Sequence, residues 1–160
     1  MITNKEIMPI IRDWILSYPY ETPYRDISIE FGEIGIPAAI GDRNALRLNG
    51  RTKINERKWL AGGGITTWRI NFAIIAWRNT NDPEIWRDIL EFINRFIAWV
   101  DEEEHKRDTP EQNPLLPQLS DPGTYLEKIS ANDGSPFEIL TSGEQTGFLI
   151  ALNLDFQTIF

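Results

Sequence analysis

Ile65-Thr66-Thr67-Trp68-Arg69-Ile70-Asn71-Phe72-Ala73-Ile74-Ile75-Ala76-Trp77-Arg78 is the stretch on which the fold turns. Thr66, Trp68, Ile70, Phe72, Ile74 and Ala76 fall on one side of an extended chain, and Thr67, Arg69 and Asn71 on the other. This is the period of two of a strand with one buried face. Ile75 and Trp77 make its far end apolar on both sides. Immediately upstream, Ala61-Gly62-Gly63-Gly64 supplies residues that reach positive φ without steric cost, as a tight reversal requires. Residues 51–60 therefore run back against 65–78 as the other arm of an antiparallel hairpin.

On the N-terminal side, residues 25–31 alternate, with Ile27, Ile29 and Phe31 opposite Asp26, Ser28 and Glu30, and read as a half-buried strand. Residues 32–50 carry Gly32, Gly35, Gly41, Gly50 and Pro37 and read as a long loop folded over the sheet edge. At the start, Thr3-Asn4-Lys5-Glu6 has the form of a capping box. Ile7, Ile11, Trp14, Ile15 and Tyr18 follow at helical spacing. Pro9, past the first turn on that reading, removes a helical hydrogen bond and argues for a start nearer Pro9.

On the C-terminal side, Asn81-Asp82-Pro83-Glu84 combines an N-cap, a first-turn proline and an acid, and predicts a helix running to about Val100. Its apolar positions, from Ile85 and Trp86 to Trp99 and Val100, cover roughly half the circumference, wider than the ~100° one sheet contact needs. The surplus suggests that this helix also covers something else, a neighbouring subunit being one candidate. Residues 101–123 read as a charged, proline-containing connector, residues 124–130 as a weaker strand and 148–158 as a strong one. The predicted fold is a single α+β domain over 1–160: a mainly antiparallel sheet of about five strands packed against two helices.

With 160 residues, 41% hydrophobic and 25% charged, the chain has the balance of an independently folding domain. Sixteen basic and twenty-four acidic residues give a formal charge of −8, a field that repels nucleic acid and anionic lipid. The absence of cysteine excludes disulfides and thiolate metal sites and fits a reducing cytosol. Charged residues break up the apolar positions of 1–18, so neither a secretory segment nor a membrane span is expected there.

No catalytic signature emerges. The only histidine, His105, lies in the run Asp101-Glu102-Glu103-Glu104-His105-Lys106-Arg107 and reads as solvated charge. That run lacks the spacing and central glycine of a calcium loop. Gly62-Gly63-Gly64 has no following Lys-Ser or Lys-Thr and lies between strands, so it is a turn, not a phosphate cradle. A carboxylate pair such as Asp26 and Glu30 is explained by the solvent face of a strand. No cofactor or metal is expected, and the chain reads as a non-enzyme.

The uneven feature is charge. Arg43, Arg47, Arg51, Lys53, Arg57 and Lys58 concentrate basic residues around the hairpin while the remainder is strongly acidic. An ordinary solvated hairpin would account for this, and so would a docking surface for an acidic neighbour. Tryptophan is abundant, and aromatic side chains anchor interfaces as well as cores. Arg51, Lys53, Arg57, Lys58 and Arg69, with Trp77 and Trp99, are the candidate subunit-interface residues.

The order of elements resembles the tail terminator proteins of long-tailed bacteriophages, often labelled minor capsid proteins in prophages of Gram-positive bacteria. The residues carrying the likeness are Trp14-Ile15-Leu16, the glycine hairpin leading into Trp68-Arg69-Ile70-Asn71-Phe72-Ala73-Ile74, Ile97-Ala98-Trp99-Val100-Asp101, Leu116-Pro117-Gln118-Leu119 and the closing strand. The resemblance implies a homo-oligomeric ring, most often a hexamer, that sits on the last tail-tube ring, stops polymerisation and offers a docking face to the head–tail connector and neck proteins. It places the protein in the virion, assembled in the bacterial host cytoplasm, with DNA only passing through the lumen and no membrane partner. Alternatives are a tube or head-closure subunit, or a small ligand-binding or hydrolase domain.

Overall fold

The computed structural model describes residues 3–20, 27–31, 44–79, 84–106, 124–131, 137–142 and 145–160. The element order is α1 (Asn4–Leu16), β1 (Ile27–Phe31), β2 (Asn44–Lys58), β3 (Gly64–Asn79), α2 (Ile85–Lys106), β4 (Thr124–Ala131), β5 (Phe137–Ser142) and β6 (Gln145–Ile159). The α+β class stands, with six described strands in place of about five. They form one sheet in the order β1-β2-β3-β6-β4, and β5 also pairs with β6. Because β3 lines one side of β6 throughout, β4 and β5 share its other side, against Leu152–Thr158 and Gln145–Ile150 respectively.

The hairpin forms as its alternation predicts. Ile70, Phe72, Ile74 and Ala76 on β3 meet Leu154, Leu152, Ile150 and Phe148 on β6 and join the main core beneath both helices. The opposite face carries a second small cluster, Ala73, Ile75, Leu149 and Ala151 with Trp77 against it, which gives the doubly apolar end of β3 its place.

α1 begins at Thr3, whose hydroxyl accepts the Glu6 N–H while the Glu6 carboxylate accepts the Thr3 N–H at 2.7 Å. The expected start nearer Pro9 is therefore corrected: Pro9 lies inside the helix. It is tolerated there because Pro9 and Lys5, whose carbonyl loses its partner, both sit on the solvent face, where water replaces the missing bond.

The structure differs from the sequence expectations elsewhere and adds features they lacked. Residues 32–50 are not all loop, since β2 starts at Asn44 and Ala45, Leu46 and Leu48 are buried. β1 pairs parallel to β2, Ile27 opposite Asn44 through Phe31 opposite Leu48, the one described exception to an otherwise antiparallel sheet. β5 was not anticipated. α2 continues to Lys106 through the acidic run, because Glu103 follows Trp99 and Val100 on the buried face and is itself fully buried. Glu104 also leaves the solvated class, its carboxylate accepting the Ile129 N–H of β4 at 2.7 Å. The expected N-cap at 81–83, the connector at 107–123 and the strand beginning at 25 and 26 lie outside the described residues.

The wide apolar stripe of α2 finds its partner within the chain. Trp99 stacks on Trp14 with centroids 5.0 Å apart, and Tyr18 meets Trp99 and Phe92 edge-on. Trp14 of α1 and Tyr18 just after it thus cover part of the surplus width, and among the described side chains of α2 Trp86 and Leu90 remain exposed.

Candidate interaction site: a basic arm with an apolar tip

β2 changes character halfway along. Its first residues are buried, but every residue from 52 to 58 is exposed. Gly50, at φ 66°, sits in a register break between Leu48 and Arg51. A left-handed glycine in an antiparallel bulge inserts one residue and increases the local twist. Leu48 pairs with Phe72, but Arg51 pairs with Ile70, so odd-numbered residues move to the helix-side face. Arg51 consequently lies over the Trp68 ring, 4.4 Å from its centroid, a cation–π contact. A second break between Lys53 and Asn55 leaves Ile54 without a partner on β3.

Beyond that break Glu56 sits between two cations, 3.1 Å from Lys53 and 3.6 Å from Lys58. The lysines hold its carboxyl below the usual carboxylate range, chiefly through the hydrogen bond from Lys53. Arg57 pairs with Ile65 on the opposite face. The turn closes with Trp59 N–H donating to Gly63 O and Gly62 N–H donating to Trp59 O. Gly64 and Phe160 then exchange both backbone bonds, extending the β3–β6 ladder to the tip.

The tip is apolar. Leu60 is fully exposed, Trp59, Ile159 and Phe160 are each roughly half exposed, and Ile54, further back along β2 at the second break, is exposed to a similar degree. A grouping of large apolar side chains rimmed by Lys53, Arg57 and Lys58 has the character of a protein contact surface. The glycines beneath it are constrained. A Cβ at Gly63, where φ is 76°, would collide with Phe160 O, whereas one at Gly62, φ 96°, meets nothing within 4 Å. Gly63→Ala is expected to destabilise more than Gly62→Ala, by roughly 1–3 kcal/mol for the backbone collision beyond the positive-φ cost the two share. Urea unfolding of the two variants checks the order.

The remaining interface candidates are placed differently. Arg69 forms a two-pronged pair with Asp155, both contacts at 2.8 Å, on the sheet face away from the helices. Trp77 packs against the cluster of Ala73, Ile75, Leu149 and Ala151. Trp99 is 3% exposed and belongs to the core, which removes it from the contact surface. Sequence reading missed the apolar half of the tip. Trp59-Leu60 directly before the glycine run was its visible signal, whereas Ile159 and Phe160 join it only through β3–β6 pairing.

Among the described residues no group of three or more His, Asp or Glu side chains is placed to hold a metal ion, and no helix is long and apolar enough to cross a membrane. Glu103 Oε1 lies 3.4 Å from Lys106 Nζ, while its Oε2, Trp14 Nε1 and the Tyr18 hydroxyl have no hydrogen-bond partner. Burial pushes the Tyr18 phenol above its ordinary range.

His105 is exposed, with Nδ1 2.7 Å from Asp101 O. Donation to that carbonyl raises its pKa above the usual 6.5, and the charge of Asp101 adds to the effect. A raised folded pKa makes a stabilising contribution that is complete below the unfolded value and lost as pH rises through the folded one. An NMR titration is expected to place the midpoint above 6.5.

No protein-family model matches this chain, and no curated protein matches it in sequence.

Proposed function

We propose that the chain is a structural assembly protein of a long-tailed phage or prophage, a tail terminator that closes into a ring. In this role it caps the tail tube and presents a docking face to the neck. The observation that carries the reading is the arm: exposed apolar side chains inside a basic rim, on a chain whose net charge is −8. A closed ring needs two unlike, complementary patches on each subunit. The basic, apolar-tipped arm supplies one, and the acidic remainder supplies the charge the other requires. The order of elements that resembles tail terminators supports the same reading, as does an acidic chain in a lumen through which DNA slides without adhering. The work is stoichiometric and uses no cofactor; the sites of action are the tail and neck of the virion.

The test is molar mass by light scattering across protein and salt concentration, with negative-stain imaging and purified tail tubes added. A discrete ring, alone or on tube ends, supports the reading. Unlimited polymerisation would instead identify a tube subunit, and a monomer that ignores tube ends would remove the proposal.

A further inference from the structure

The two edges of the sheet are finished differently. On the β4 edge, α2 packs alongside, and Glu104 accepts the Ile129 N–H that turns away from β6. Along β4 that edge is covered by a helix, one of the ways proteins close a strand to further pairing, and the Ile129 amide is taken by a carboxylate. On the other edge, β1 ends opposite Leu48, and among the described residues no strand flanks β2 beyond it. Residues 52–58 are exposed throughout. This half of β2 therefore meets protein chiefly on its β3 side, and its outward backbone groups form a template for another strand.

The charges select what can pair there. Residues 51–58 hold four cations and one acid, a net +3 that leaves −11 on the remainder of a chain at −8. Two such edges placed against each other would bring Lys53, Arg57 and Lys58 against their own copies, so self-pairing about a two-fold axis is opposed. An acidic strand is attracted. Lysines and bulges are also the ordinary guards of an edge strand, and here they filter partners by sign, while Ile54 and Trp59 remain exposed for apolar contact.

We infer that residues 52–58 accept, by strand addition, an acidic extended segment of a second copy of this chain, continuing the sheet across a head-to-tail subunit boundary. The inference rests on the assembly reading and adds to it the mode of contact. Head-to-tail contacts between unlike patches are also those that close into rings.

Hydrogen–deuterium exchange of the full chain, dilute in high salt and then concentrated in low salt, tests it with the molar mass recorded for each sample. The expected result is exchange of the 52–58 amides slowed roughly tenfold or more in the assembled form. The double variant Arg57→Glu, Lys58→Glu is expected to weaken assembly by about tenfold or more while its melting temperature stays close to the parent's. Assembly without new protection at 52–58 overturns the strand-addition inference and leaves the ring reading standing. A chain that stays monomeric in all conditions overturns the second-copy partner. Unchanged assembly in the double variant overturns the charge filter.

Discussion

Phe72→Ala is expected to lower stability by roughly 3–5 kcal/mol, or on the order of 10 °C in melting temperature for a domain of this size. Phe72 is completely buried at the centre of β3, between Leu48 on β2 and Leu152 on β6, on the face that both helices cover. Truncation removes the transfer energy of the ring and leaves a void. The surroundings cannot close it, because both neighbouring strands are held by ladder hydrogen bonds and the overlying helices by other aromatic contacts. Chemical denaturation with an unchanged m-value would identify the loss as a cavity in an intact fold. A change under about 1 kcal/mol would mean that Phe72 is not packed as described.

Trp99 and Trp59 are expected to give opposite results. Trp99→Ala removes the ring stacked on Trp14 and touched edge-on by Tyr18, and should cost roughly 3–5 kcal/mol of stability. Trp59 is 46% exposed and holds the turn through its backbone, so Trp59→Ala should keep stability within about 1 kcal/mol. Its effect is expected on assembly, because a half-exposed indole in an apolar patch contributes where a partner covers it. Thermal melts and molar mass, measured on both variants, separate the roles. An unchanged association with Trp59→Ala would take the arm tip out of the contact.

These two residues show where sequence reading reaches its limit. Both are tryptophans at the margins of apolar segments, and spacing alone allowed Trp99 to be surface. The wide stripe on α2 was real, but whether α1 or another subunit covers it depends on how the two helices lie on the sheet. Arg69 is similar: its place on the polar face of β3 was legible, whereas its partner Asp155 lies 86 positions away. The β2 start was hidden for another reason. Only Leu46-Arg47-Leu48 alternates there, a pattern too short to stand against the nearby glycines and Pro37. β5 is short and gains its strand conformation from pairing with β6.

Local chemistry determined the hairpin, the capped first helix, the second helix and the closing strand. In each, the periodicity runs over ten or more positions, although α1 starts before the point Pro9 indicated and α2 ends beyond Val100. The concentration of positive charge near the turn was also readable, because it depends on composition. Only the tertiary structure decided that β1 lies parallel to β2, that Glu103 and Trp99 turn inward, and that the arm carries its apolar tip beyond the helix-covered core. Each of these follows from long-range pairing and from which faces remain after the core has closed, and adjacent residues in the chain do not encode either one.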